Sequence, residues 1–246
     1  VQLKDGNVSP PTECIACSVL GKAFRGQLDH NLSALDRDGM YCIRCLARPD
    51  GVGSTKLFQV VKLLQLDHPG GERMGGMDKG MLILHEKPLV QHVIDAIEPH
   101  VQEILLNANR HLDYYRGLGY PVVEDMFPGF AGPLAGILSS MHQVKTAWIL
   151  VVPCDVPGIP LDLVERLVEA SSRSNSGIAV AHDGRYLQSA HLLLPVSLKT
   201  ELDSWIVSGR RSIRDWLRTH EIGLADFSDN PDAFANINTP DDLDDA

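Results

Sequence analysis

A glycine-rich segment with two basic side chains occupies residues 70–84, GGERMGGMDKGMLIL. Glycine permits positive φ and close backbone approach, so successive N–H groups can converge on an anion. The segment is therefore either a phosphate-binding loop or a flexible surface loop, and glycine content alone favours the second interpretation. The candidate phosphate contacts are four of its glycines and its two cations, namely Gly70, Gly71, Gly75, Gly76, Arg73 and Lys79.

Polar side chains follow three apolar runs of the sequence. Asn107 and Asn109 come after EILL, Asp125 comes after PVVE, and Asp155 comes after AWILVVPC. Open α/β sheets bind ligands at the carboxyl ends of their strands, and a carboxylate there can hold a hard divalent cation together with nucleotide phosphates. Alternatively, the two aspartates cap loops or helices and the two asparagines satisfy turn backbone.

The cysteines are concentrated near the start of the chain. Cys14 and Cys17 form one C-x2-C pair, and Cys42 and Cys45 form a second. Paired knuckles of this kind present four thiolates to a tetrahedral Zn²⁺ ion. The sequence leaves two alternatives open, a structural zinc site and reduced cysteines without a ligand.

Two parts of the chain differ in pattern. Residues 1–56 show no sustained periodicity and are predicted to form an irregular N-terminal extension, whereas residues 57–246 alternate apolar runs with amphipathic stretches. This alternation is typical of βαβ units and predicts an α/β domain with a mostly parallel sheet. The predicted strands are 60–66, 103–109, 121–125, 147–155, 177–183 and 191–196, and the predicted helices are 88–101, 161–172, 198–207 and 212–220.

The composition and net charge of the chain argue against some classes of binding partner. The chain has 246 residues, of which 44% are hydrophobic, and carries a formal net charge of −10. An acidic chain without clustered basic residues is not expected to bind nucleic acid or an anionic membrane surface. Its longest apolar run, residues 147–153, is far shorter than a bilayer span, and no cationic leader opens the chain, so we expect a cytoplasmic protein.

The order of the motifs carries a family resemblance. RMGG-x-DKG, NANR, GPLAG, PCD and N-x-NTP follow one another along residues 66–246, and in this order they resemble the molybdenum cofactor guanylyltransferases, the MobA family. The resemblance implies a three-layer, Rossmann-like nucleotidyltransferase fold. It also implies transfer of GMP from GTP to molybdopterin or its metal-loaded form, with Mg²⁺ as cofactor and pyrophosphate as product. Other molybdenum cofactor biosynthesis proteins and apo-molybdoenzymes would be its protein partners.

The resemblance also assigns roles to residues of this chain. Lys79 is similar to the lysine that contacts the nucleotide phosphates, and Arg73 to a basic residue earlier in the same loop. Asn107 and Asp125 match positions that bind the guanine nucleotide, and Asp155 matches the Mg²⁺ ligand. The late asparagine motif near the pterin end of the cleft corresponds to Asn236 and Asn238.

One segment departs from the family pattern. The family begins its phosphate loop with L-A-G-G-x-G, whereas residues 66–71 of this chain read LDHPGG. Pro69 has no N–H to offer a phosphate, and Asp67 places a negative charge beside the triphosphate. Either the first 65 residues are an added module, or residues up to about 69 are not the native beginning of this enzyme; we favour the second explanation.

The departure keeps alternative functions open. One is a related nucleotidyltransferase that uses CTP or a sugar phosphate. Another is a nucleotide-binding homologue with impaired catalysis, or a zinc-bearing adaptor without transferase activity.

Overall fold

The computed structural model describes residues 59–64, 78–127, 132–237 and 242. In these residues, strands form a seven-stranded sheet of order β5-β4-β1-β6-β8-β7-β9 and a separate hairpin of β2 and β3. The strands are β1 (Gln59–Leu64), β2 (Ile83–Leu84), β3 (Lys87–Pro88), β4 (Glu103–Asn107), β5 (Val122–Val123), β6 (Trp148–Pro153), β7 (Ala179–His182), β8 (Leu187–Pro195) and β9 (Gly223–Asp226).

Helices alternate with these strands. They are α1 (Leu89–Ile97), α2 (Leu112–Gly117), α3 (Pro133–Met141), α4 (Leu163–Ser171), α5 (Lys199–Val207) and α6 (Ile213–Leu217). Short 3-10 turns lie at Lys79–Met81, Glu98–His100, Val196–Leu198 and Pro231–Phe234. The described helices include none with the length and apolar character that a membrane span needs.

Helix α1 illustrates how the local sequence sets these bounds. Its apolar residues recur at helical spacing, and Leu89, Val93 and Ile97 are at most 1% exposed. The prediction extended this helix to residue 101, but the α-helix ends at Ile97 and a 3-10 turn follows. Pro99 lies in that turn and cannot donate an N–H to the α-helical ladder.

The main core lies where the sheet packs against helices. Its members include Trp216 of α6, Leu138 of α3 and Val151 of β6, and each of them is fully buried. Helix α3 contacts β1 and β4, and α4 contacts β7, β8 and β9. Burial of these apolar side chains is the principal force that holds the helices on the sheet.

The prediction of an α/β fold with a mostly parallel sheet is confirmed. Strands β5, β4, β1 and β6 are mutually parallel, and β9 runs parallel to β7. Strand β8 is the exception, since it pairs antiparallel with both β6 and β7. The turn before β8 explains this, because Asp183 accepts hydrogen bonds from the N–H groups of Arg185 and Tyr186 and so reverses the chain tightly. A connection this short cannot make the crossover that parallel neighbours require.

Several strands differ from the prediction. Strand β8 begins at Leu187 instead of residue 191, and the short strands β2 and β3 and strand β9 were not predicted at all. The segment that forms β9, GLAD, is too short and too polar to give a strand signal on its own. Its pairing depends on Gly223, where a Cβ atom would lie only 2.1 Å from the carbonyl oxygen of Ala170 in α4.

Candidate active site

The carboxyl ends of the four parallel strands lie at one edge of the sheet. Strand β4 ends at Asn107, β5 is followed by Asp125, and β6 is followed by Asp155. Because β1 lies between β4 and β6, and neighbouring strands are about 4.8 Å apart, the ends of β4 and β6 are separated by roughly 10 Å. The edge therefore brings together side chains that are distant in sequence.

Lys79 and Asp155 form an ion pair at this edge. The ammonium Nζ of Lys79 lies 3.0 Å from Oδ2 of Asp155, and their side chains are 24% and 1% exposed. Lys79 opens a 3-10 turn whose first N–H groups need acceptors, and the carboxylate of Asp78 accepts from the N–H of Gly80 at 3.2 Å. The turn thus holds the lysine against the end of β6 with its charge partly open to solvent.

Asp155 has further capacity for ligands. Its Oδ1 is buried and has no hydrogen-bond partner among the described residues. Mg²⁺ is usually held by one or two carboxylates while substrate phosphates and water complete its octahedron. Within the described residues, no cluster of three or more His, Cys, Asp or Glu side chains could form an all-protein metal cage. A single buried carboxylate with a free oxygen atom fits Mg²⁺ that arrives with a nucleotide.

Asn107, Asn109 and Asp125 form a second group at the edge. The amide Nδ2 of Asn107 donates to Oδ1 of Asp125 at 2.9 Å and to the carbonyl oxygen of Val123 at 2.9 Å. Asn109 donates from Nδ2 to Oδ2 of Asp125 at 3.0 Å, and its own Oδ1 accepts the N–H of Asp125 at 2.8 Å. Both asparagines bond to main-chain groups, Asn107 to a carbonyl of strand β5 and Asn109 to the N–H of Asp125 just after it, and both also hold the Asp125 carboxylate.

The space beneath the lysine turn is tightly filled. A Cβ atom at Gly80 would lie 2.8 Å from the hydroxyl oxygen of Tyr115 and 3.4 Å from Sγ of Cys154. Burial raises the pKa of the Tyr115 hydroxyl far above its usual range, and the charge of Asp78 adds to the rise. Burial likewise raises the pKa of the Cys154 thiol well above its usual value, with Asp155 adding to it. Both groups therefore stay protonated at neutral pH.

The late asparagine segment reaches the same edge through its backbone. The N–H of Ile237 donates to the main-chain carbonyl oxygen of Asp155 at 2.9 Å. The Ile237 side chain is buried and packs in a small cluster with Leu84 and Leu89. Asn236, directly before it, is exposed and lies next to this anchored position.

The structure therefore brings together Lys79 with Asp155 and Asn107 with Asp125, and it places Asn236 beside a residue bonded to Asp155. The remaining predicted site residues lie outside the described residues: Gly70, Gly71, Arg73, Gly75, Gly76 and Asn238, together with Cys14, Cys17, Cys42 and Cys45.

Sequence reasoning did not assign Tyr115 or Asp78 to the site. Tyr115 occupies an ordinary buried position of α2, so no spacing or motif distinguishes it from a core residue. Asp78 did carry a signal, since Asp two residues before a glycine is a common turn acceptor.

Solved structures show which fold this chain has. Molybdopterin-guanine dinucleotide biosynthesis protein A from Archaeoglobus fulgidus superposes with a TM-score of 0.59 at 21% identity, covering 76% of this chain and 95% of its own. The 2-C-methyl-D-erythritol 4-phosphate cytidylyltransferase from Thermus thermophilus superposes with a TM-score of 0.58 at 17% identity, covering 76% and 95%. The fold is that of the nucleotidyltransferases.

Sequence comparison defines the family. Residues 70–223 match the family model of the MobA-like NTP transferase domain. Proteins named molybdenum cofactor guanylyltransferase from Shewanella sediminis and Shewanella woodyi are 45% and 46% identical over 168 residues, which is 68% of this chain and 86% of each relative. The chain belongs to the MobA-like NTP transferase family, and the resemblance expected from its motifs is confirmed. It is accordingly an enzyme of the nucleotidyltransferase class.

Proposed function

We propose that this enzyme transfers GMP from GTP to molybdopterin, or to its metal-loaded form, with release of pyrophosphate and in dependence on Mg²⁺. The observation that carries the proposal is the contact of Lys79 with Asp155, since it places a cation and a free carboxylate oxygen at the ligand-binding edge of the sheet. The names of the relatives from Shewanella supply the substrate class.

The reaction requires no protein nucleophile. A phosphate oxygen of molybdopterin attacks the α-phosphorus of GTP, a new phosphorus–oxygen bond forms, and the bond from that phosphorus to the bridging oxygen of the β-phosphate breaks. Both reactants are anions, so their repulsion and the charge on the leaving pyrophosphate dominate the barrier. Positioned cations lower such a barrier, and positioning supplies much of the remaining acceleration.

Each residue has a distinct role in this proposal. Lys79 contacts the phosphates and offsets their charge, and Arg73 adds a second cation from the glycine-rich loop. Asp155 holds Mg²⁺, which when bound neutralises phosphate charge as a Lewis acid. Asn107 and Asp125 hold the nucleoside, while Asn236 and Asn238 contact the pterin end. The glycines of the loop, Gly70, Gly71, Gly75 and Gly76, allow backbone N–H groups to approach the phosphates.

The test is a transfer assay with purified protein, molybdopterin and each nucleotide in turn. We expect pyrophosphate release with GTP and Mg²⁺, and none with CTP or ATP. Lys79→Ala and Asp155→Ala should each lower turnover by about 10²-fold or more, because each removes charge stabilisation at the transferred phosphate. Turnover close to that of the unmodified protein in either variant would refute this assignment of the phosphate site.

A matched control is available in the same region of sequence. Lys87 forms an ion pair with Asp95 at 2.5 Å, but both side chains are 44% exposed and lie on the hairpin and α1. Lys87→Ala removes a lysine of a lysine–aspartate pair outside the site, and we expect it to leave turnover unchanged.

A second candidate function is that of a nucleotide-binding homologue with impaired catalysis. The observation that favours it is the segment LDHPGG at residues 66–71, in which Asp67 and Pro69 oppose phosphate binding. Replacing residues 67–70 with Ala-Gly-Gly-Gln should then raise the affinity for Mg²⁺-GTP, measured by calorimetry. Unchanged affinity, combined with turnover of the unmodified chain, would mean that the divergent loop is functional as it stands.

A further inference from the structure

We propose that Asn109 is a positioning residue that acts on the nucleotide through Asp125. It has no assigned role in the function proposed above, on which this inference rests. Asn109 is exposed, and two reciprocal hydrogen bonds join its amide to Asp125, which follows a different strand 16 positions later. One bond holds the carboxylate and the other holds the backbone of the same residue.

The geometry fixes the direction of the carboxylate. Oδ1 of Asp125 accepts from Asn107 at 2.9 Å, and Oδ2 accepts from Asn109 at 3.0 Å. With one amide on each oxygen, rotation of the carboxylate breaks at least one bond. Each carboxylate oxygen can accept two hydrogen bonds, so acceptor capacity remains for a ligand.

The chemistry of the two donors is suited to a binding site. Amides are neutral, so they hold Asp125 without cancelling its negative charge, whereas a lysine or arginine in the same place would neutralise it. The charge remains available to hydroxyl and N–H donors, which a nucleoside provides on its ribose and base. Charge-assisted hydrogen bonds of this kind are about twice as strong as neutral ones.

The two asparagines differ in what else they support. Asn107 is only 4% exposed and also donates to the carbonyl oxygen of Val123, so its removal would disturb the pairing of β4 with β5. Asn109 is exposed and lies beyond the end of β4, which is at Asn107. Its replacement should therefore change the setting of Asp125 while leaving the strand pairing intact.

The first experiment compares Asn109→Ala with the unmodified protein. We expect the Kd for Mg²⁺-GTP to rise about tenfold, since the carboxylate then samples other directions. We also expect faster amide hydrogen exchange at Asp125, because its N–H loses Oδ1 of Asn109 as its hydrogen-bond acceptor. Asn109→Asp keeps the oxygen acceptor, but it removes the N–H donor to Asp125 and adds a second negative charge beside it. This variant should therefore preserve the exchange protection of the Asp125 N–H. It should weaken GTP binding at least as much as Asn109→Ala does.

Asn175→Ala is the matched control. Asn175 is also exposed and also donates to a carboxylate, that of Glu221 at 2.6 Å, but it lies in the turn before β7. We expect its GTP affinity to match that of the unmodified protein.

A double-mutant cycle identifies the route of action. If Asn109 acts through Asp125, Asn109→Ala should weaken GTP binding in the unmodified background and have no further effect in Asp125→Ala. Additive losses would overturn the inference, as would unchanged GTP affinity or unchanged Asp125 exchange in Asn109→Ala. Absence of GTP binding by the unmodified chain, or unchanged binding in Asp125→Ala, would instead refute the proposed nucleotide site and this inference with it.

Discussion

The ammonium of Lys79 lies 3.0 Å from a carboxylate oxygen of Asp155, although 76 positions separate the two residues. The lysine is on a short turn, and the aspartate lies two residues beyond the end of the apolar strand β6, which is buried along most of its length. Their contact therefore depends on how the turn packs against the end of the sheet. Variants of either residue should affect the folded state as well as catalysis.

The stability of the pair can be measured by unfolding in urea. Lys79→Met leaves the carboxylate of Asp155, 1% exposed, without its cation, and should lower the free energy of unfolding by about 1–3 kcal/mol. Adding Asp155→Asn to this variant should restore much of the loss, because a neutral amide needs no counter-charge. Lys87→Met breaks the ion pair with Asp95, in which each side chain is 44% exposed, and should change the free energy of unfolding by less than about 0.5 kcal/mol. Equal stability of Lys79→Met and the unmodified protein would contradict the prediction.

Packing beneath the lysine turn gives a second prediction. Gly80→Ala should lower the free energy of unfolding by about 1–3 kcal/mol, because the new methyl group lies 2.8 Å from the hydroxyl of Tyr115. Transfer activity should fall with it, since the turn carries Lys79. Tyr115→Phe removes the clashing oxygen, so the variant Gly80→Ala/Tyr115→Phe should be more stable than Gly80→Ala alone.

Gly117 provides the control for this substitution. It is the last residue of α2, and a Cβ atom there would meet nothing within 4 Å. Gly117→Ala should leave activity unchanged and stability equal or slightly higher, because alanine favours the helix. If Gly80→Ala behaved in the same way, the close packing around Gly80 would be refuted.

A buried histidine predicts the pH dependence of stability. His191 in β8 is 1% exposed, packs edge-on against Phe234 at 4.8 Å, and has no hydrogen-bond partner for either ring nitrogen among the described residues. Burial lowers the pKa of His191 to about 3 in the folded protein. The unfolded chain then binds the proton more readily below pH 6.5, so this residue makes stability fall as the pH drops from about 6.5 towards 3.

The effect is measured by comparing His191→Leu with the unmodified protein at about pH 7.5 and about pH 5. Between these values the unmodified protein should lose about 2 kcal/mol more than His191→Leu, since leucine takes up no proton. His100→Gln, which removes an exposed histidine, is the control for the loss of a histidine as such. A pH dependence of His191→Leu equal to that of the unmodified protein would contradict the prediction, because it would show that His191 takes up protons equally in the folded and unfolded states.

One arginine, Arg166, holds the segment that leads to Asn236 through hydrogen bonds and an ion pair. Arg166 of α4 donates to both carboxylate oxygens of Asp229 at 2.7 Å and to the carbonyl oxygen of Asp226 at 2.6 Å, and it lies over the ring of Phe227 at 4.6 Å. Lysine cannot reproduce this forked contact. Arg166→Lys should therefore speed amide exchange in residues 227–237 several-fold while exchange in β6 stays slow.

Arg173 lies just beyond the end of the same helix and is the control, because it pairs with Glu169 one turn earlier on an exposed face. Arg173→Lys should leave exchange in residues 227–237 unchanged. Equal exchange in the two variants would mean that Arg166 does not hold the segment.

Sequence patterns correctly placed candidate site residues at or near the ends of strands. Asp155 and Asn107 could be predicted because an apolar run followed by a polar residue indicates both a buried strand and its end. The parallel arrangement then placed them at one edge, as the structure has them. The pairing of Lys79 with Asp155 was not predictable in the same way, since each residue was assigned to phosphate or metal separately.

Features that depend on tertiary packing could not be predicted. Tyr115 fills the space under Gly80 only because α2 packs there, and its own neighbours in sequence give no sign of it. The reversal of β8 depends on how Asp183 organises its turn, and a single aspartate before a glycine does not determine strand direction. Strand β9 forms because its backbone pairs with the edge of β7, and the local sequence of β9 does not indicate this pairing.

The N–H of Ile237 is bonded to the carbonyl of Asp155, and the carboxylate of the same residue is bonded to Lys79. One residue is thus bonded both to the segment that carries Asn236 and to the turn that carries Lys79. A change in the backbone position of Asp155 would therefore alter its contacts with both segments.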